Sequence, residues 1–171
     1  LVDVDLDEAR GAEILEQRSH KAAMLLPLQP TAEEQFQSFP AKLRSQIRRP
    51  SKSGLSAEVV RGKEISRTTI SAFYSVFSQN MRDLGTPVYP RSLFANTVAA
   101  FRDTARVILV WKDQTPVAAA ITIGWRGNVE IPWASSLRGY NTLAPNMLLY
   151  WEAIKGACED GAKVFDFGRS T

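Results

Sequence analysis

Hydrophobic positions along the chain follow two different periods. Between residues 66 and 101 they recur every three or four residues, which predicts two amphipathic helices. Ser66 is placed to cap the first helix and Gly85 to end it, and Pro90 is placed to open the second. The apolar side chains expected to be buried on these helices are Ile70, Phe73, Phe77, Met81, Leu84, Leu93, Phe94, Val98 and Phe101.

The pattern changes to that of strands after residue 104. Residues 106–111, 117–125 and 129–136 are rich in β-branched and aromatic side chains, and short polar segments separate them. They therefore predict a three-strand antiparallel meander. A helix between positions 145 and 161 is predicted next, followed by a strand over residues 163–167. Because a helix joins the last two strands, we expect them to be parallel neighbours.

The first third of the chain has a weaker pattern. Residues 12–17 and 22–28 predict a strand pair, and residues 54–60 predict a further strand. Between them, a short helix over residues 40–49 is expected to end at Pro50, because proline disfavours helical geometry in the residue before it.

This short helix is predicted to have one apolar and one basic side. Leu43 and Ile47 lie one turn apart, and the opposite side carries basic residues. These are Lys42, Arg44, Arg48 and Arg49. A solvated helix face and a polyanion-binding surface both account for this arrangement.

Charge is unevenly distributed over the 171 residues, whose formal net charge is +3. Residues 1–34 carry eight acids and three bases, whereas residues 35–67 carry eight bases and two acids. The basic segment is compatible with a polyanionic partner such as RNA, a nucleotide or a lipid headgroup.

The rare residue types exclude several kinds of site. One cysteine, Cys158, cannot form an internal disulfide or a cysteine zinc site. One histidine, His20, argues against a histidine metal centre and against a Ser-His-Asp triad. We therefore expect no metal site and a cytoplasmic location. No apolar run approaches the ~20 residues of a membrane-spanning helix, and the start without methionine suggests that the natural termini are missing.

Pro132 lies inside the predicted strand 129–136, where it cannot donate a ladder hydrogen bond. We expect this strand and the following parallel strand to separate there. Ligands of such sheets bind at the carboxyl ends of the parallel strands, beside the start of the connecting helix. The residues expected at this place are Trp133, Ser135, Ser136, Arg138, Tyr140, Asn146, Asp166 and Arg169.

The order of two helices, a meander with a broken last strand, a crossover helix and a strand resembles the core of GNAT-type N-acyltransferases. Four stretches resemble a narrower family, the FemAB-like proteins found with exosortase (PEP-CTERM) and exopolysaccharide systems. They are FPAKLRSQIRRPSKSGL, FSQNMRDLGTPVYP, PWASSLRGYNTLAPNMLLYWEAI and KVFDFGRST. The resemblance runs from about residue 22 to the end of the chain.

The resemblance implies an α/β fold of the GNAT type. The sheet would be mixed and mostly antiparallel, with a parallel pair splayed around the broken strand and helices on its faces. The resemblance also implies a duplicated fold. Residues 1–38 would then end a first subdomain, residues 39–65 would form a basic linking helix and strand, and residues 66–171 would form an incomplete second subdomain that continues past Thr171.

The activity implied by the resemblance is transfer of an acyl or aminoacyl group from an activated carrier to an amine of a cell-envelope or exopolysaccharide precursor. The donor would be an aminoacyl-tRNA or an acyl-CoA, used as a co-substrate, with no permanently bound cofactor. GNAT enzymes that use coenzyme A hold its pyrophosphate with an R/Q-x-x-G-x-G/A loop. The corresponding SLRGYNTLAPNM has only Gly139, which argues against coenzyme A and favours another carrier.

Acyl transfer to an amine requires a base for the amine proton, donors for the developing oxyanion and orientation of both reactants. Placement at the strand ends predicts Asp166 as the base. It predicts Ser135 or Ser136, with backbone N–H groups near Pro132, as donors to the oxyanion.

Substrate binding is predicted for further residues. Arg138 and Arg169 are suited to anchoring a phosphate or carboxylate by bidentate contacts. The helix that carries Asn80 and Arg82 borders the acceptor cleft in the family fold, so the resemblance implies substrate contacts for both. The remaining substrate-binding candidates are Trp133, Tyr140 and Asn146.

Two alternatives to a transferase stay open at this point. One is a noncatalytic basic module that binds RNA or an anionic glycan through residues 40–63. The other is a degenerate acyltransferase fold retained as a scaffold. Contact of the basic helix with a membrane surface is compatible with each.

Overall fold

Six strands form one mixed sheet in the computed structural model, which describes residues 22–170. The strands are β1 (Ala22–Pro27), β2 (Leu55–Arg61), β3 (Ala105–Lys112), β4 (Thr115–Trp125), β5 (Asn128–Ser136) and β6 (Val164–Ser170). Their order across the sheet is β1-β6-β5-β4-β3-β2. Among these six strands of residues 22–170, only β5 and β6 are parallel neighbours, so the predicted mixed, mostly antiparallel sheet of an α/β fold is confirmed.

Helices cover both faces of this sheet. They are α1 (Ala32–Ser38), α2 (Ala41–Lys52), α3 (Arg67–Asp83), α4 (Arg91–Ala100) and α5 (Pro145–Glu159). On one face α5 packs against the sheet and against α1 and α2, over a core that contains Ile108, Leu149 and Phe165. On the other face lie α3 and α4. Their buried side chains Phe73 and Phe94 meet edge to face, with ring centroids 5.0 Å apart. Burial of these apolar side chains is the main force that holds the two layers to the sheet.

The meander β3–β4–β5 and the crossover through α5 have the predicted order. The parallel ladder between β5 and β6 has only three rungs, from Asn128 opposite Val164 to Glu130 opposite Asp166. Beyond this point both strands continue without pairing to each other, which confirms that they separate near Pro132. A bulge in β5 accounts for the separation, because the pairing with β4 shifts register between Glu130 and Trp133.

The N-terminal part of the described chain differs from the prediction. β1 pairs antiparallel with β6, and residues 12–17, its predicted partner, lie outside the described residues. The helix α1 was not predicted. Its signal is present in the sequence, because Thr31 caps the helix by accepting a hydrogen bond from the Glu34 N–H at 3.2 Å.

Pro50 does not end α2, so that prediction was wrong. The helix continues to Lys52, and the Ser53 N–H donates to the carbonyl oxygens of Arg49 and Pro50. Pro50 lies in the last turn, where the missing N–H removes only one helical hydrogen bond, and its ring is buried. The chain turns at Gly54, whose φ of 78° is readily adopted by glycine.

Three apolar residues expected to be buried are exposed instead. Leu84 and Phe101 are the C-cap residues of α3 and α4, where the helical spacing no longer determines which face a side chain takes. Leu93 lies beside the narrow stripe formed by Phe94 and Val98. Among residues 22–170, no helix is both long and apolar enough to cross a membrane.

Candidate functional site

Two carboxylates lie side by side at the last rung of the parallel ladder. Glu130 of β5 pairs in register with Asp166 of β6, immediately before the strands separate. Both side chains point to the face of the sheet that carries α3 and α4, since Val129 and Phe165, their chain neighbours, are buried under α5. Neighbouring strands are about 4.8 Å apart, so one small cation or amine can contact both groups.

A cavity of about 710 Å³ opens over these two carboxylates. We call it the carboxylate cavity. Its walls are largely apolar and come from β1, α4, β4, β5 and β6, and besides Glu130 and Asp166 they include Leu25, Phe101, Ile123, Trp125 and Trp133. The indole of Trp125 is 63% exposed, so it forms an open rim. Two acids in an aromatic, mostly apolar recess favour a ligand that carries a positive charge.

The Asp166 carboxylate is oriented by its own strand. Its Oδ1 accepts a hydrogen bond from the Gly168 N–H at 2.8 Å. Gly168 has a φ of 85°, a backbone conformation that residues other than glycine rarely adopt. This local turn leaves Oδ2 of Asp166 available to a ligand.

Trp133 and Ser135 are tied to the helices of the same face. The Trp133 ring meets Phe94 of α4 edge to face at 5.1 Å. The Ser135 hydroxyl is buried and accepts a hydrogen bond from Nδ2 of Asn80 in α3 at 3.2 Å. Asn80 therefore contacts β5 directly, and Trp133 joins Asp166 in the carboxylate cavity.

The other predicted site residues lie elsewhere. Ser136 points to the opposite face from Ser135, because side chains alternate along a strand. Tyr140 packs against the core under α5, whereas Arg138, in the segment between β5 and α5, and Asn146, in the first turn of α5, are exposed. The remaining two are Arg82, which is exposed and donates to Gln79 on its own helix, and Arg169, whose side chain lies outside the described part of the chain.

The basic side of α2 is partly occupied by contacts within the protein. Arg44 donates to two carbonyl oxygens at the end of α1, at 2.6 and 3.1 Å. The Arg48 guanidinium lies 4.8 Å from the ring centroid of Phe36, and Arg49 donates to a carbonyl oxygen in the loop before α5 at 3.0 Å. Of the four predicted polyanion-binding residues, Lys42 forms no such contact within residues 22–170.

The loop before α5 does not fit the pyrophosphate of coenzyme A. The N–H groups of Tyr140, Ala144 and Met147 already donate to carbonyl oxygens of the same segment, and Pro145 at the first helical position has no N–H. Ala144 does lie in the left-handed region that a nest of amides requires, at a φ of 54°, but its N–H is bonded to the Asn141 carbonyl oxygen and the next residue is Pro145. The amides at this turn are therefore not free to cradle a phosphate.

Glu130 is the site residue that the sequence reasoning missed. Its signal was the alternation of β5, in which Val129 and Ile131 are buried and Glu130 between them faces the other side.

The face of the sheet opposite the carboxylate cavity carries a shifted group under α5. Burial raises the pKa of the Tyr150 phenol there, and its ring lies 5.8 Å from that of Phe167 on the same face. Among residues 22–170, no three His, Cys, Asp or Glu side chains are grouped so that they could hold a metal.

Several solved structures share this fold at low sequence identity. FemX is 16% identical with a TM-score of 0.72, over 85% of this chain and 52% of FemX. L-PGS from Bacillus licheniformis is 12% identical with a TM-score of 0.61, over 85% of this chain and 45% of that one. The chain thus spans about half the length of each.

A third structure is the PaiA N-acetyltransferase from Thermoplasma acidophilum in complex with coenzyme A. It is 13% identical with a TM-score of 0.50, over 63% of this chain and 75% of that one. At these identities the likeness concerns the fold. Comparison with curated protein sequences gives no match. The model of the acetyltransferase (GNAT) domain, however, matches residues 41–171, and the chain belongs to this family of acyltransferase domains.

Proposed function

We propose that this domain transfers an acyl or aminoacyl group from an activated carrier to an amine, and that the amine enters the carboxylate cavity. The observation that carries the proposal is the Glu130–Asp166 pair at the point where β5 and β6 separate. An acceptor amine arrives mostly as an ammonium ion at neutral pH. Two carboxylates and the indole of Trp133 suit that cation, whereas the Trp125 ring at the rim already has the Arg126 guanidinium 5.6 Å from its centroid.

The chemistry requires the ammonium to lose a proton before its nitrogen can attack. In the proposed mechanism Oδ2 of Asp166 accepts this proton, while Oδ1 stays bound to the Gly168 N–H. Glu130 holds the ammonium in place and is the second acceptor within reach. The neutral amine then attacks the acyl carbonyl carbon, and a tetrahedral oxyanion forms whose nitrogen is positively charged. Its collapse breaks the bond to the carrier, which leaves with the proton that this nitrogen gives up.

The oxyanion needs hydrogen-bond donors. Beyond Glu130, β5 has no ladder partner on the side of β6, so backbone groups around Pro132 face the gap between the strands. We assign the oxyanion to N–H groups in this stretch. In this proposal Ser135 acts on the oxyanion only indirectly. Its buried hydroxyl accepts a hydrogen bond from Asn80, and this bond holds β5 against α3.

The proposed donor is an aminoacyl group on a carrier such as tRNA. The loop before α5 lacks the free amides that hold a pyrophosphate, which disfavours acyl-CoA. The proposed acceptor is an amine of a cell-envelope or exopolysaccharide precursor, made beside an exosortase system. This setting, and the division into an end of one subdomain, a linking segment and a second subdomain, rest on the sequence resemblance described above.

The test is a transfer assay with radiolabelled mixed aminoacyl-tRNA or acetyl-CoA as donor, and a lysine-containing peptide, a diamine or an amino sugar as acceptor. We expect Asp166→Asn to lower kcat about 10²–10⁴-fold, as loss of a catalytic base does. Glu130→Gln should raise KM for the amine. Asp113→Asn is the matched control, since Asp113 is exposed in the turn between β3 and β4.

The results separate the parts of the proposal. Full activity of both Asp166→Asn and Glu130→Gln would refute the role of the carboxylate cavity. Faster transfer from acetyl-CoA than from aminoacyl-tRNA would refute the proposed donor while leaving the amine site intact.

A further inference from the structure

A second concave surface shares no lining residue with the carboxylate cavity. It is a groove of about 610 Å³ between α4, the N-terminal half of α3 and the turn before α3. We call it the α3–α4 groove. Its charged lining residues are all basic: Lys63, Arg67, Arg91 and Arg102. No acidic side chain lines it among the residues that the structure describes.

The four cations of the groove have no ion-pair partner within residues 22–170. Elsewhere in that range Arg61, Arg106, Lys112 and Lys155 each pair with an acid. The groove therefore presents four exposed positive charges that no acidic side chain of the described residues neutralises, and such a surface attracts an anionic ligand.

One of these cations is positioned across the groove. Nη1 of Arg91 in α4 donates to the Ser71 hydroxyl of α3 at 3.2 Å. The floor beneath is apolar and made of small or buried side chains, among them Ala95, Ala99 and Val98. The groove is therefore concave, with its charges on the rim.

The helix end at the groove does not supply the site. Ser66 and Thr69 form a reciprocal capping box at the start of α3, with the Thr69 N–H bound to the Ser66 hydroxyl at 3.1 Å. Those amides are occupied. The positive charge available to a ligand comes from side chains.

The spacing of the charges indicates the shape of the ligand. Arg91 opens α4 and Arg102 follows its end, so a ten-residue helix, about 15 Å long, separates them. A single phosphate cannot reach both ends, whereas a chain of several phosphates can. The groove has no aromatic lining residue on which bases could stack.

From these observations we infer that the α3–α4 groove binds a linear chain of phosphates through its charge and spacing, without recognising bases. It differs from the basic side of α2, where Arg44, Arg48 and Arg49 are engaged in contacts within the protein. The inference does not rest on the proposed function, because it is tested by binding without any transfer reaction.

The test measures fluorescence anisotropy of a labelled mixed-sequence single-stranded oligonucleotide, with inorganic polyphosphate as competitor. For four phosphate contacts, log K should fall with log salt with a slope of roughly −2.8, from about 0.7 per contact on a single strand. Arg67→Gln/Arg102→Gln should reduce this slope by about 1.4. It should also weaken binding on the order of tenfold or more at low salt.

The control variant is Lys52→Gln/Lys163→Gln, which removes the same charge from exposed positions outside the groove. It should change affinity by no more than about twofold, through the general field of the protein. The side chains of Arg67 and Arg102 form no hydrogen bond or ion pair in the described part, so both variants should fold, as thermal unfolding would verify.

Competition by polyphosphate, together with a loss of affinity in Arg67→Gln/Arg102→Gln that the control variant does not show, would support the inference. Several results would overturn it. These are no binding of either chain by the wild-type protein, equal losses in the groove and control variants, or an oligonucleotide complex that polyphosphate cannot displace. Binding to vesicles of anionic lipid in place of soluble chains would also overturn it, in favour of a membrane surface.

Discussion

The guanidinium of Arg106 fills the space that a side chain at Gly156 would need. Arg106 in β3 is buried, pairs with Asp160 after the end of α5, and its Nη1 has no hydrogen-bond partner among the described residues. A Cβ on residue 156 would overlap this Nη1. Burial, together with the nearby charge of Arg61, lowers the pKa of Arg106 to about 10, because water solvates the charged form less well there. The contact joins β3 to the C-terminal part of α5.

Gly156→Ala is expected to destabilise the protein. In an exposed helix this change would stabilise by about 1 kcal/mol, but overpacking here should cost about 1–3 kcal/mol. Urea unfolding measures the difference. In an Arg106→Leu background the cost of Gly156→Ala should largely disappear, which a double-mutant cycle would detect. A Gly156→Ala protein as stable as the wild type would contradict the packing described above.

Gly168→Ala should reduce transfer activity more than stability explains. A Cβ added at residue 168 meets no atom within 4 Å, so the effect comes from the backbone φ of 85°. Holding alanine in this left-handed conformation costs about 1–2 kcal/mol. Relaxing that strain would rotate the N–H that orients Asp166. Gly161→Ala is the matched control, because Gly161 has a φ of 71° and equal space but lies at the end of α5. Equal kcat in the two variants would show that the Gly168 contact does not position Asp166.

Asn80→Ala should lower the unfolding temperature. It leaves the buried Ser135 hydroxyl without the donor from α3. Loss of such a hydrogen bond costs about 1 kcal/mol, or roughly 2–4 °C for a domain of this size. Gln79→Ala on the same helix is the control, since the Gln79 bonds to Arg82 and Asp83 are exposed. Differential scanning calorimetry would decide, and equal shifts in the two variants would count against the Asn80–Ser135 contact.

Cys158 should react slowly with thiol reagents in the folded protein. Burial raises the pKa of its thiol, and Glu159 adds to the effect, so the thiolate is scarce near pH 8. Because the folded-state pKa is the higher one, this group's contribution to stability is present below its unfolded pKa, about 8.5, and is lost as pH rises through the folded value. Iodoacetamide labelling followed by mass spectrometry should be slow in buffer and fast in guanidinium. Rapid labelling of the native protein would refute the burial.

Local signals were sufficient for much of the fold. The helix α3 begins after Ser66 and ends before Gly85, as predicted, and the strands predicted after residue 104 form the meander. Both outcomes could be predicted because capping and strand alternation depend on a few neighbouring residues. The helix α1 and the continuation of α2 past Pro50 were missed. In both cases packing on α5 stabilises a segment whose own pattern is weak.

The sequence by itself determined that β5 is interrupted at Pro132 and that a parallel strand follows it, because proline lacks the N–H that a ladder requires. Only the tertiary structure decided which side chains meet there. The register of β5 on β6 sets Glu130 beside Asp166, and strand alternation sends Ser135 and Ser136 to opposite faces. Register depends on how α3, α4 and α5 pack on the two faces of the sheet, and that packing joins residues far apart in the chain.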